Sequence, residues 1–388
     1  MPGQVSPPPA PPAHTAEFWT AQQRQASSLH EVSYRGCFKP QLPAYFINRF
    51  SRPGDLVYDP FSGRGTTALE AGLLGRGVAA NDVNPLSRML LEPRFWPPES
   101  DALMDRLNTL HSAPAAPGED GLDLSMFFHP DTEREIRQLR AALRARLEEG
   151  REDALDRWIR MVATNRLTGH SPGFFSVYSL PPNQAVSQDS QIKINARLDQ
   201  APPYRDTRAL ILRKTRSLLR NLTAEQRQAL ARASETTIFL TGDARRTPGL
   251  PDNSVVLTVT SPPFLDVVDY AADNWLRCWF NGIDAGQIAA GLTTPRGLAA
   301  WSETMGDVLI ELQRITRPGG HIAFEVGEVR GGKIRLDEAV VPLGEAAGLM
   351  TVGVWINTQR FTKTSNIWGV SNNTHGTNTN RVVVFQKP

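Results

Sequence analysis

Two cysteines, Cys37 and Cys278, are all that this chain of 388 residues contains. They have neither metal-ligand spacing nor the look of a disulfide framework, which excludes a stapled secreted scaffold and suits a reducing compartment. An excess of charge of one sign is also lacking. The 42 basic and 40 acidic side chains leave a net charge of +2, so nucleic-acid binding is permitted but needs a local patch to carry it. Long apolar runs are missing too: none is long enough to span a membrane, and the N-terminus lacks the basic-then-apolar order of a signal peptide. The expected location is therefore the cytoplasm. His129 and His375 have no ligand-spaced partners, and no metal site is expected. What is present, 40% hydrophobic and 21% charged residues, is ordinary globular composition. The length suits one large α/β domain with an insertion, or two domains.

Along the chain the texture changes at three points. Residues 1–14 are rich in proline and nearly free of large apolar side chains, so they are expected to form a disordered tail. Residues 15–98 carry a short apolar run ending in an acid, Asp55-Leu56-Val57-Tyr58-Asp59. A glycine-containing turn follows, then the helical spacing of Ala68, Leu69, Ala71, Leu73 and Leu74, then a second strand over 78–81 that ends at Asp82. Strand, turn, helix and strand in that order make half of a doubly wound sheet. Residues 99–235 read as mostly helical, for example over 133–149, with a loop-like stretch over 169–200. Residues 236–388 resume the sheet with strands over 237–240 and 255–260, a helix over 301–315, and a strand over 321–326 after Pro318-Gly319-Gly320. A closing antiparallel pair is expected over 351–357 and 382–386. The fold class is thus α/β, a doubly wound Rossmann-like sheet with an antiparallel C-terminal hairpin and a mostly helical inserted region.

Two elements carry chemistry. The first is Asp59-Pro60-Phe61-Ser62-Gly63-Arg64-Gly65-Thr66-Thr67, between a strand and a helix. Glycines let the backbone approach a ligand, and the helix N-terminus offers unpaired N–H groups. Asp59 at the strand tip suits an ammonium, and the hydroxyl of Thr66 or Thr67 suits a carboxylate, so a ligand with an amino-acid end satisfies both. A plain tight turn would account for the glycines alone, but Asp82 at the tip of the next strand stands where ribose hydroxyls are bound in such sheets. The second element is Thr260-Ser261-Pro262-Pro263-Phe264, after a buried strand. The prolines stiffen the loop and supply carbonyls without competing donors. Ser261 and the Pro262 carbonyl can accept from an NH2 group while Phe264 offers a stacking face. An exocyclic amine on a nucleobase is a poor nucleophile because its lone pair is delocalised into the ring. Two acceptors that draw its protons toward tetrahedral geometry localise that pair.

Together these elements resemble the amino-methylating DNA methyltransferases, particularly the cytosine-N4 branch, where serine stands before Pro-Pro. The likeness covers residues 38–98 and 236–388. It implies S-adenosylmethionine as methyl donor, with Asp59, Phe61, Gly63, Gly65 and Thr66 around the methionine moiety, Asp82 on the ribose and Asp243 at the adenine amino group. It gives Ser261, Pro262, Pro263 and Phe264 to the target base, although tyrosine is the commoner residue at the position of Phe264. The stretch 38–43 is loosely similar to an upstream segment that closes over the cofactor. The glycine loop precedes the Ser-Pro-Pro element, as in the subgroup whose target-recognition region lies between the two halves. That assigns residues 99–235 to DNA recognition, with His170, Asn183, Gln184, Lys193, Arg197, Arg213 and Lys214 as candidate contacts. The basic run over 193–220 is equally consistent with a solvated helix face. Trp275 and Trp279 read as packing, and the polar loop over 372–380 as either a hairpin tip near DNA or a solvated turn. The expected partners are double-stranded DNA and a cognate restriction endonuclease acting on the same site. Cytosine-C5 chemistry needs a cysteine nucleophile, usually after proline, whereas here Cys37 follows Gly36 and Cys278 follows Arg277. Adenine-N6 methylation, guanine-N2 methylation of RNA and a catalytically inactive DNA-binding homologue stay open beside cytosine N4.

Overall fold

A computed structural model describes residues 11–19, 26–34, 36–112, 121–180, 184–263, 270–286, 297–329, 334–359 and 378–388. Short apolar runs form the strands β1 (Ala13–Ala16), β2 (Leu56–Asp59), β3 (Gly77–Asp82), β4 (Ile238–Thr241), β5 (Val255–Thr260), β6 (Thr316–Val326), β9 (Met350–Gln359) and β10 (Asn378–Gln386). A separate small ladder joins β7 (Glu328–Val329) to β8 (Ile334–Arg335). The main sheet has the order β1-β9-β10-β6-β5-β2-β3-β4. Its strands run parallel except at β10, which is antiparallel to both β6 and β9. The chain winds outward from β2 to β3 and β4, then returns to the other side of β2 as β5 and β6. The carboxyl ends of β2 and β5 therefore flank the point where strand order reverses, the place where such sheets open a crevice.

Strand side chains alternate between the two faces. Val57, Val78, Ala80, Leu257 and Val259 join one core, while Tyr58, Ala79, Val255 and Phe324 join the other. The second core is covered by the helices Leu298–Ile315 and Leu336–Ala346, through Trp301, Met305, Leu309, Leu312 and Val340. The first core receives the helices Gln41–Phe50 and Thr66–Leu73 and the helical middle of the chain: Ser100–His111, Pro130–Glu148, Ala154–Arg166, Thr207–Leu219 and Ala224–Ser234. Among these middle helices the fully buried Asp156 accepts from Arg106 at 2.5 Å and from Arg146 at 2.7 Å. A buried carboxylate is tolerable when paired in this way.

The doubly wound sheet and its antiparallel C-terminal pair are as expected, with three local differences. Residues 13 and 14, expected within a disordered tail, belong instead to the strand Ala13–Ala16, which adds to the sheet edge as a parallel partner of β9; residues 1–10 lie outside the described residues. Ala13–Ala16 carries no apolar run that announces a strand; the edge of β9 recruits it through the backbone, and the His14 ring packs on Trp355 with centroids 4.8 Å apart. The stretch 169–200 holds the helix Gln188–Leu198, capped by the Ser187 hydroxyl, rather than continuous loop. Strand β6 begins at Thr316, before Pro318-Gly319-Gly320, and its register against β5 shifts across that insertion. Among the described residues no helix is long and apolar enough to cross a membrane.

Candidate active site

At the strand-order reversal lies a cleft with roughly 1100 Å³ of empty space, partly open to solvent. Its floor is made of strand tips. Asp59 ends β2 and is 2% exposed. It accepts from the Thr260 hydroxyl at 2.6 Å and from the Phe61 amide at 3.2 Å. Burial pushes its carboxyl up to about 7, although the hydroxyl and amide donors oppose the rise. Asp82, at the tip of β3, is pushed up to about 6, also by burial. One of its oxygens accepts from the Gly63 amide at 2.8 Å and the other from the Asn84 amide at 2.9 Å. Asp82 therefore faces the cleft and shapes the glycine loop as well. Two desolvated carboxyls with raised pKa values, Asp59 buried and Asp82 half-buried, favour a cationic or hydroxyl-rich occupant that restores their lost solvation.

Asp59, Phe61, Gly63, Thr66, Asp82 and Asp243 all line the cleft, as do Ser261, Pro262 and Pro263. Gly65 does not. It caps the helix Thr66–Leu73 in the left-handed region, with φ of 75°, and a Cβ there would overlap the Leu91 side chain. Its glycine is required by the turn and by packing, so the expectation that it contacts a cofactor is corrected. Thr67 does not line the cleft either: its hydroxyl donates to the Val259 carbonyl at 3.0 Å, tying the helix to β5, and acts on the Asp59 carboxyl. Asp243 reaches the cleft rim, but its carboxylate is held at two points by Arg245, at 3.0 and 2.6 Å. It can meet an amino group only by sharing that guanidinium. In the upstream segment Phe38 lines the cleft, whereas Gln41 already opens a helix.

Several residues that hold the site were missed in the sequence. Glu325 is one. The pairing of Thr260 with Phe324 between β5 and β6 brings the next residues, Ser261 and Glu325, side by side. Glu325 is buried, and burial pushes its carboxyl up to about 7 against the opposing effect of the Ser261 hydroxyl. Trp301 is another: its indole donates to the Pro263 carbonyl at 3.0 Å, pinning the proline pair at the cleft wall. Arg64 donates to the carbonyls of Val32 and Phe38, and the fully buried Arg94 donates to those of Leu29 and Arg64. These two guanidiniums clamp the upstream segment onto the glycine loop. Asn81 ties the Pro60 carbonyl to that of Gly242 across the strand tips.

The candidate DNA contacts are scattered. Lys193 and Arg197 are exposed on the helix Gln188–Leu198, and His170 is exposed beside Phe174. Gln184 is half-buried. Lys214 is turned inward, donating to the Glu31 carbonyl at 2.7 Å, with its pKa brought down to about 8 chiefly by burial. It is thereby withdrawn from the proposed contacts. Phe264, Asn183 and the segment 372–377 lie outside the described residues. Trp275 donates to the Val186 carbonyl, and Trp279 lies beneath Arg137 and Arg140, so both pack as expected. Among the described residues no group of three side chains could hold a metal ion.

Residues 11–85 match the family model described as DNA methylase, of the N6/N4 type. This N-terminal segment of the chain is similar to that family. That segment contains Asp59, Gly63, Thr66 and Asp82, whereas Ser261 and Glu325 lie beyond it. A stretch of 76 residues is 30% identical to the type II methyltransferase M.MjaII of Methanocaldococcus jannaschii, covering 19% of this chain and 14% of that one. A longer stretch of 299 residues is 22% identical to the type II methyltransferase M.BsoBI of Geobacillus stearothermophilus, covering 69% of this chain and 55% of that one. The chain thus spans about half the length, or less, of these two curated relatives. Among solved structures, TrmN from Thermus thermophilus is 15% identical over 91% of this chain and 50% of its own, with a TM-score of 0.32.

Proposed function

We propose that the protein is an S-adenosylmethionine-dependent DNA methyltransferase that acts on the exocyclic N4 amine of cytosine. The observation that carries this reading is the meeting, in one cleft, of the Asp59 and Asp82 carboxyls with the Ser261 and Pro262 acceptors. The carboxyls suit a ligand with an ammonium and ribose hydroxyls, and the acceptors suit an amine. Bound there, S-adenosylmethionine supplies a methyl group on a sulfonium sulfur that departs as a neutral thioether. Asp59 pairs with the ammonium, Asp82 accepts from the ribose, and Thr66 at the helix N-terminus meets the carboxylate. Ser261 and the Pro262 carbonyl accept the two amine protons and aim the nitrogen lone pair at the methyl carbon. As the N–C bond forms and the C–S bond breaks, one amine proton becomes acidic; it passes by way of the Ser261 hydroxyl to the Glu325 carboxylate. Orientation supplies much of the rate, and no covalent enzyme intermediate is needed. The base leaves the duplex to reach the cleft, at a cost of a few kcal/mol.

In this reading residues 15–98 and 236–388 form the two halves of the catalytic domain, and residues 99–235 recognise the DNA. Both curated relatives are type II methyltransferases, which supports a cognate restriction endonuclease as partner. The test is to incubate the purified protein with duplex DNA and S-adenosylmethionine, digest to nucleosides and identify the product by mass spectrometry. N4-methylcytosine is expected. N6-methyladenine would keep the mechanism and change the base; no methylated nucleoside from DNA would refute the reading.

A further inference from the structure

Beside the cleft three guanidiniums gather, Arg166, Arg213 and Arg277, and the Asp273 carboxylate acts on Arg277 alone of the three. Arg277 is buried and acts electrostatically on Tyr34 and Cys37 of the cleft wall, and on Arg166. Arg213 acts on Arg166 as well. Their hydrogen bonds go to neutral acceptors: Arg166 to Asn165, Arg277 to Asn274, and Arg213 to the Pro172 carbonyl at 2.9 Å. Among the described residues neither Arg166 nor Arg213 forms an ion pair with a carboxylate. Unpaired buried charge is costly, and like charges close together raise the cost, so such a cluster calls for an anion.

The geometry around Gly173 says where the anion sits. A point at the Cβ position of Gly173 lies 3.4 Å from Ser171 Oγ, 3.5 Å from Arg213 Nη2 and 3.9 Å from Arg166 Nη1. The missing side chain leaves this point open, and three donors converge on it. The Ser171 hydroxyl already accepts from the Gly173 amide at 3.4 Å, which leaves its own proton to donate. Arg166 Cζ stands over the Phe174 ring, 3.9 Å from its centroid, a contact that restrains the guanidinium in advance. Gly173 and Ser171 are half-buried and Arg213 is exposed, so the seat is reachable. One turn further along its helix Arg216 is also exposed and extends the positive edge.

We propose that Arg166, Arg213 and the Ser171 hydroxyl, converging over Gly173, form a seat for one backbone phosphate of the nucleic-acid strand whose nucleotide enters the cleft. The inference rests on the DNA methyltransferase reading above and adds a fixed point on the substrate strand. A tetrahedral anion with several acceptor oxygens matches two guanidinium forks and a hydroxyl better than a single carboxylate does. Engaging the seat fixes how far the target nucleotide can swing without reading its sequence.

Full-length wild type, Gly173→Ala and Arg213→Gln are compared for binding to a short random-sequence DNA duplex across a salt series. Cofactor affinity is measured in parallel by calorimetry. The alanine methyl would stand at ordinary contact distance from all three donors, so the fold tolerates it while the seat is filled. Both variants should bind the duplex roughly tenfold more weakly, with the slope of log affinity against log salt reduced by about one, as expected for one lost phosphate contact. Cofactor affinity should be unchanged. Wild-type duplex affinity and slope in both variants would overturn the seat while leaving the methyltransferase reading intact. Parallel loss of cofactor affinity would overturn it too, by showing a structural role. A wild type that binds cofactor but no duplex would overturn the underlying reading itself.

Discussion

Cofactor binding should depend on the ionisation of Asp59. An ammonium gains its ion pair only if the carboxyl is charged, and in the free protein burial holds that carboxyl at about 7. With that value about one site in eleven is ionised at pH 6 and one in two at pH 7, so the dissociation constant falls about fivefold over that unit, ~1 kcal/mol. Asp82, at about 6, adds roughly another twofold if ionisation strengthens its hold on the ribose, a combined change of about tenfold. The window below pH 7 keeps an ordinary α-amino group protonated, so the slope belongs to the protein. Calorimetry with S-adenosylmethionine at several pH values, on wild type and Asp59→Asn, reads it directly. The variant should bind more weakly at pH 7 and keep only the twofold dependence from Asp82. A second readout needs no ligand. Because the folded-state pKa is raised, the folded protein holds a proton between about 4 and 7 that the unfolded chain has released. Stability from this group therefore falls as pH rises through that window, and Asp59→Asn should melt higher than wild type at pH 8, with the gain fading toward pH 5. A wild-type affinity that is flat from pH 6 to 7, or an asparagine variant that keeps the full slope, would refute the assignment.

Three other outcomes follow from the site. Glu325→Gln should lower turnover about 10²- to 10⁴-fold with cofactor affinity unchanged. In wild type the rate should rise with pH through about 7 as this carboxyl ionises, and an unchanged profile in the variant would exclude it as the proton acceptor. Gly65→Ala combines a left-handed backbone with overlap at Leu91 and should cost about 2–5 kcal/mol in urea unfolding; a loss under 1 kcal/mol would mean that Leu91 yields easily. Trp301→Phe keeps the packing of the second core but removes the donor to the Pro263 carbonyl. It should depress kcat with little change in melting temperature, whereas an unaffected kcat would show that the proline pair needs no such anchor.

Much of the candidate site was legible in the sequence because its residues are consecutive. Asp59 to Thr67 is a strand tip, a turn and a helix start, and each carries a local signal that survives without neighbours: an acid after an apolar run, paired glycines, hydroxyls before a helix. Ser261-Pro262-Pro263 is likewise a run whose backbone chemistry is its own. The basic run over 193–220 shows the limit of this approach. Charge counted along a line ignores which way each helix faces, so Lys214 turned out to be half-buried against the Glu31 carbonyl while Arg213 beside it is exposed.

What the sequence by itself determined is the order of strands and helices, the glycine turn between β2 and its helix, and the stiff serine-proline loop, because short-range sterics and hydrophobic period decide these. Only the tertiary structure decided which distant groups complete the site. Glu325 sits in an apolar strand and gains meaning only from the β5–β6 register that lays it beside Ser261. Arg64 and Arg94 become clamps only once the upstream segment folds over them. The open point above Gly173 exists only where Ser171, Arg166 and Arg213, from a loop and two helices, converge on it. Register and helix facing are set by burial of whole faces, a property of the assembled layers that no local window of residues contains.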